Sequence, residues 1–260
     1  MKLLSLNLWG GRQGQILLDY LKTESASTDI FCFQEVFDSK KQGPKEDQGY
    51  QIRLLQTLQS LLQDFNGYFS PAYRNWLNMK RTDFELVEGR AIFVRKNIEL
   101  KNLESVYIFG NAQTEILDDF TNAPENVQLA TLSIAGKDLL VANVHGKWYP
   151  GDKKDTQERI EQSEKILNAI KRYPVPKIIC GDFNLLPDTK SIGFLERDYK
   201  NLIKDFGIKS TRNKVSWELN NNVQYFADYT FVSPEIKVKK FEVPYNEVSD
   251  HLPMVLEFEL

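Results

Sequence analysis

The sequence predicts an α/β protein in which two mixed β-sheets pack face to face and helices cover their outer sides. Three observations carry this expectation. Short runs of Leu, Ile, Val and Phe alternate with amphipathic stretches in the first half of the chain, the pattern of strands joined by helices. Further on, strand-like runs follow one another directly, as in hairpins. Polar fragments recur where apolar runs end, from residue 7 to residue 251, so both ends of the chain must enter one structure. A single domain over residues 1–260 follows from that last point.

The elements can be taken in order. Residues 2–8 form a first strand and 13–24 a helix, followed by a strand at 29–35 ending in Gln34-Glu35. A helix is expected over 50–63, where YQIRLLQTLQSLLQ has apolar residues at helical spacing. A strand near 67–72, an aromatic-rich segment 73–88 and a strand at 89–97 come next. Strands follow at 106–111, 127–136 and 137–146, the last two joined through Ala135-Gly136-Lys137-Asp138 as a hairpin. Segment 154–173 sets Ile160, Ile166, Leu167 and Ile170 among charges, an amphipathic helix that must stop before Pro174. The chain closes with a strand at 177–182, a short helix near 188–196, and strands near 224–232, 236–242 and 253–259. No repeat, low-complexity stretch or linker interrupts this order. Of the long loops, 36–49 reads as solvated. Loop 147–155 carries Lys147, Trp148, Tyr149, Lys153 and Lys154 just after His145, and suits either a cap on the sheet edge or a substrate contact.

Composition excludes several classes. With 42% hydrophobic and 27% charged residues the chain is an ordinary globular one, and no apolar stretch reaches the roughly 20 residues that span a bilayer. MKLLSLNLWG is interrupted by Asn7 and Gly10 and reads as a strand, not a signal peptide, so a cytoplasmic monomer is expected, or a secreted one if a leader has been removed. Cys32 and Cys180 each fall inside a buried-strand pattern and are expected to act as small hydrophobes, not as a disulfide framework or a zinc site. A net charge of −3 gives no sign of a basic face for gripping long nucleic acid, though a local basic strip stays possible.

The polar fragments are Asn7 in LSLNLWG, Gln34-Glu35 in DIFCFQEV, His145 in LLVANVHG, Gly181-Asp182-Phe183-Asn184 in KIICGDFN, Asp228 in YFADYTFVS and Ser249-Asp250-His251, with a lesser one at Gly89-Arg90. Both histidines of the chain are among them. Strands ending in carboxylates, amides and imidazoles bring these groups to one sheet edge, and such a cluster suits a hard metal ion and a phosphate.

As an ordered set covering residues 3–258, these fragments resemble those of the endonuclease/exonuclease/phosphatase superfamily. The resemblance implies a four-layer α/β/β/α sandwich and metal-dependent hydrolysis of phosphoesters. Several family nucleases carry Asp two residues after the first Asn, where this chain has Trp9; Asn7-Leu8-Trp9-Gly10 is closer to the sphingomyelinase-like branch.

Chemistry assigns expected roles. A divalent ion offsets phosphate charge and activates water; Mg2+ is expected, with Mn2+ able to substitute. Glu35 is the principal candidate ligand, with Asn7 and Asp250 completing the shell directly or through water. Asp182 is expected to orient and deprotonate the attacking water, and Asn184 to hold water or phosphate. Asp228 is the natural partner to orient His251, a pairing the family pattern also implies, and His145 would meet a second phosphate oxygen. Arg90, Trp148 and Tyr149 are candidate substrate contacts. A small-molecule, lipid-headgroup or nucleotide phosphodiester is the first expectation for the substrate. A DNA or RNA nuclease, a tyrosyl-DNA phosphodiesterase and a noncatalytic binding module on the same fold are the alternatives.

Overall fold

A computed structural model describes residues 1–41, 46–220 and 223–260. Two six-stranded sheets face each other. In the first, β1 (Lys2–Asn7) lies between β2 (Ile30–Asp38) and the C-terminal β16 (Met254–Glu259), with β15 (Lys237–Glu242) outside β16 and β8 (Val87–Arg95) and β5 (Phe65–Arg74) beyond β2. In the second, β11 (Lys137–His145) and β12 (Lys177–Asp182) are central. They are flanked by β10 (Glu125–Ile134) and β9 (Glu99–Phe109) on one side and by β14 (Asp228–Val232) and the two-residue β13 (Lys200–Asn201) on the other. Two short ribbons, β3 (Glu46–Asp47) with β4 (Tyr50–Gln51) and β6 (Trp76–Leu77) with β7 (Lys80–Arg81), complete the strands among the described residues.

Side-chain alternation explains the layering. Leu3, Ile30, Cys32, Ile92 and Val94 point into the core between the sheets. Their neighbours Leu4, Phe31, Phe33, Ala91 and Phe93 point outward, against α1 (Gln15–Ser25) and α2 (Leu54–Leu61). On the second sheet, α3 (Gln157–Lys171) buries Ile166, Leu167 and Ile170, and α4 (Lys190–Glu196) buries Ile192 and Leu195. The two thiols, distant in sequence, meet across the sandwich, where burial first and the facing Cys180 second push the Cys32 thiol well up. No helix among the described residues is long and apolar enough to cross a membrane.

Several expected boundaries shift for physical reasons. β2 does not stop at Glu35. It continues to Asp38 through a bulge between Phe33 and Val36, where Glu35 takes φ 53°. The first turn of the helix expected at 50–63 is instead the strand Tyr50–Gln51, which follows Gly49 at φ 82°. β9 runs from 99, well before 106, because it is an edge strand whose solvent face is polar. The hairpin turn needs only Ala135 and Gly136, both at positive φ. β14 starts at Asp228 rather than 224. Of the expected solvated loop 36–49, residues 42–45 lie outside the described residues.

This topology decides where strand ends meet. β1 and β2 are parallel and joined by α1, so Asn7 sits opposite Gln34; β11 and β12 are parallel and joined by α3, so His145 sits opposite Asp182. β14 is antiparallel to β12, so its first residue, Asp228, pairs with the last of β12. A buried amide cluster clamps the sheets directly beneath: Gln34 Nε2 donates to Asn143 Oδ1 (2.6 Å), and Asn143 Nδ2 donates to Phe33 O (3.0 Å).

Gly181 makes the approach of β11 possible. Its φ is +131°, and a Cβ there would lie 2.1 Å from Val144 O. Gly181→Ala should therefore cost roughly 2–4 kcal/mol in urea unfolding. Stability within about 0.5 kcal/mol of the native chain would show that the strand moves freely to accept a side chain.

Candidate functional site

Asn7, Glu35, His145, Asp182, Asn184, Asp228, Asp250 and His251 converge at the edge where the two sheets open into a cleft of about 660 Å³. Asn7 Nδ2 lies 3.0 Å from Glu35 Oε1 and 3.1 Å from Asp182 Oδ2, linking one sheet to the other. Ser249 Oγ donates to Asn7 O (2.7 Å), tying the loop before β16 to the end of β1. His145 Nε2 is 3.8 Å from both Glu35 Oε1 and Asp182 Oδ2. His251 Nδ1 faces both Asp228 oxygens at 2.9 Å, and its Nε2 is 3.6 Å from Asp182 Oδ2. Asp182 Oδ1 accepts from Asn184 N (2.8 Å), the turn that places the Asn184 side chain against Gly146 O at 3.0 Å.

The charge states differ sharply along this row. Glu35 is pushed up to about 7 by burial first and by the Asp250 charge second, against the Asn7 hydrogen bond. Asp182 is held down to about 2: burial opposes this, but His251, Lys153, His145 and Arg212 outweigh it. His145 is pressed to about 3 by burial and the Arg90 charge, so it is neutral at pH 7. His251 goes the other way. Burial and Arg212 press it down, but Asp228, Asp250 and Asp182 together raise it above the ordinary imidazole value.

A family model described as Endonuclease/Exonuclease/phosphatase family matches residues 4–251. The chain belongs to the endonuclease/exonuclease/phosphatase family. It is 27% identical over 226 residues to the CCR4-Not complex 3′-5′-exoribonuclease subunit Ccr4 of Mycosarcoma maydis, a match covering 72% of this chain and 31% of that one. The chain thus spans about a third of that relative's length. An endonuclease/exonuclease/phosphatase family protein from Leptotrichia buccalis superposes with a TM-score of 0.73 at 20% identity, covering all of both chains. A mannosyl-6-phosphatase of Bacteroides thetaiotaomicron does so with a TM-score of 0.70 at 17% identity, again over all of both.

The family implies a divalent metal, and the donor set fits one. Glu35, raised to about 7 by burial first and by the Asp250 and Asp182 charges, is a carboxylate whose ionised form a cation would stabilise. Glu35 and Asp250 offer oxygen donors of the kind a hard ion takes. Asp182, Asp228 and His251 also bring ligand atoms within 4.8 Å of one another, but the His251–Asp228 hydrogen bonds already occupy Nδ1 and that carboxylate.

Asn7 presents its Nδ2 to the two carboxylates while its Oδ1 accepts from Trp9 N (2.9 Å), so it steadies Glu35. Two expectations need correction. Arg90 does not line the cleft. It is wholly buried behind His145, paired with Glu125 and donating to His145 O at 3.3 Å. Tyr149 does not line the cleft either; its ring lies edge-on against Trp148, 5.5 Å away, and only Trp148 faces inward.

Sequence reasoning missed two groups. Arg212, buried, sets Nη2 2.9 Å from Asp250 Oδ2 and Nη1 2.6 Å from His251 Nε2. Nothing in STRNK marks this arginine, and only the backbone bridge between residues 212 and 251 brings it in. Buried Arg159 of α3 holds loop 147–155 by donating to Lys147 O (3.3 Å), Trp148 O (3.0 Å) and Lys154 O (2.7 Å). The loop is therefore an anchored platform, and it places Trp148 and Lys153 in the cleft.

Proposed function

We propose that the chain is a divalent-metal-dependent phosphoester hydrolase, with Mg2+ the ordinary ion and Mn2+ able to substitute. The observation that carries this reading is the convergence of Glu35, His145, Asp182, Asn184, Asp250 and His251 on one cleft from four segments far apart in sequence. Glu35 and Asp250 would hold the ion, steadied by Asn7 and Arg212. When bound, the ion would draw charge from a nonbridging phosphate oxygen and favour deprotonation of water.

The remaining roles follow from charge state. Asp182 stays anionic at every working pH and orients the attacking water; a carboxylate held near 2 is a weak proton acceptor, so orientation is its main contribution. Neutral His145 can donate one ring N–H to a phosphate oxygen without adding charge. His251, backed by Asp228, stabilises charge as it builds on phosphorus oxygens in the transition state. The activities in the relatives' names, exoribonuclease and mannosyl-6-phosphatase, both break a phosphoester bond and so agree in reaction class.

The test is hydrolysis of p-nitrophenyl phosphate and bis-p-nitrophenyl phosphate after chelator treatment. Neither should turn over without metal, and Mg2+ or Mn2+ should restore the reaction. Silence with both ions on both esters would favour a binding module on this fold.

A further inference from the structure

Lys153 is a buried ammonium in the cleft, 6% exposed, whose hydrogen-bond acceptor is the neutral Asn184 Oδ1. Among the described residues it has no carboxylate within ion-pair distance, although Asp182 and Asp228 are near enough to act on its charge. Two of its three donors therefore remain for another partner. A desolvated cation of this kind is unfavourable until an anion reaches it.

The lysine is also held in place. Its backbone sits at φ 58°, its carbonyl accepts from Leu186 N (2.8 Å), and Arg159 grips the loop on either side of it. Beside it, Gln224 Nε2 donates to Gly151 O (2.7 Å), tying loop 147–155 to the segment before β14. Arg212 and His251 also line the cleft, and Arg212 is near enough to act on the Lys153 charge. Elsewhere in the cleft the lining is aromatic: Phe120 packs 5.2 Å from Tyr73, 5.3 Å from Trp76 and 6.4 Å from Trp148. The cleft thus combines a held ammonium with a flat apolar wall.

We infer that Lys153 recognises phosphate oxygens directly and that the cleft takes a phosphomonoester dianion in preference to a phosphodiester, with the organic group of the ester against the aromatic wall. This rests on the hydrolase reading above. A diester carries one negative charge, whereas a monoester carries close to two at neutral pH. The extra oxygen and charge are what an otherwise unmatched ammonium can use. In the reaction, water oxygen bonds to phosphorus, the ester P–O bond breaks, and the alcohol leaves with a proton, releasing inorganic phosphate.

The experiment compares kcat/KM for p-nitrophenyl phosphate and bis-p-nitrophenyl phosphate in the native chain, Lys153→Met and Lys153→Arg with Mg2+. Taking the monoester-to-diester ratio across variants cancels the intrinsic reactivity of the two esters. That ratio should fall about 10- to 100-fold in Lys153→Met, the loss of one charge-assisted hydrogen bond, and stay within about 3-fold in Lys153→Arg. An unchanged ratio in Lys153→Met would overturn the assignment. A second measurement needs no variant. Calorimetry on the Mg2+-loaded native chain should show inorganic phosphate binding at least about 10-fold tighter than dimethyl phosphate. Equal affinities would overturn the proposal even if both esters are hydrolysed. If neither ester is hydrolysed, the hydrolase reading fails, and the same phosphate titration repeated on Lys153→Met decides what Lys153 binds: phosphate binding weakened about 10-fold supports the assignment, and unchanged affinity overturns it.

Discussion

Glu35→Gln should abolish nearly all metal-dependent turnover and, in the absence of metal, should stabilise the fold at pH 7 and above. Both effects come from one carboxylate. In the unfolded chain a glutamate ionises near the ordinary value of about 4.3. In the folded chain, burial and then Asp250 raise Glu35 to about 7. Between those values the folded state binds the extra proton, so stability falls as pH rises through this window and levels off above about 7. The neutral glutamine escapes that loss. Its side chain is 29% exposed, which solvates part of the charge, so the expected gain at pH 8 is about 2 kcal/mol. Metal affinity should move in the opposite direction, weakening by more than about 100-fold, since partners outside the ligand shell alone cost 10- to 100-fold. Thermal melts from pH 5 to 8 with chelator, alongside Mg2+ calorimetry, check both halves. Unchanged Mg2+ affinity would remove Glu35 from the ligand set.

Asp228→Asn should lower turnover by about 100- to 10,000-fold, mostly at neutral and higher pH, and leave Mg2+ affinity nearly unchanged. His251 Nδ1 meets Asp228 at 2.9 Å, while Nε2 faces the Arg212 guanidinium at 2.6 Å. The carboxylates are what keep this imidazole above its ordinary pKa against burial and Arg212. With Asp228 neutralised, those opposing influences should pull His251 below that value. The stability sign follows: a histidine raised in the fold stabilises fully below about 6.5 and loses that contribution as pH rises through its folded pKa. The variant should therefore lose most stability in acid, with the difference narrowing toward alkaline pH. Histidine ring titration by NMR and a pH–rate profile read both effects. A His251 titration identical to that of the native chain would leave Asp228 without its role.

The alternation of Leu3 with Leu4, Ile30 with Phe31 and Ile92 with Phe93 is local information, because a strand's two faces are fixed by a two-residue period. The amphipathic stretch over 154–173 likewise specifies a helix by its own spacing, and the sequence alone determines an α/β sandwich with carboxylates, amides and two histidines at the ends of apolar runs. What those end groups touch is a matter of register and long-range packing. The bulge that turns Glu35 into the cleft depends on the β8 partner, and its raised pKa depends on burial first and then on the charge of Asp250, 215 residues away. Arg90 illustrates the converse. As sequence it is a cation beside a strand of the site, and only the fold shows it sealed against Glu125. Arg212 carries no local pattern, and Lys153 stands out only as one of several lysines in the loop after His145, since a buried cation is recognised by what surrounds it, and here the surroundings come from loops that the two sheets bring together. Chemistry-bearing residue types can be read along the chain; charge state, exposure and partner exist only once the two sheets have closed over them.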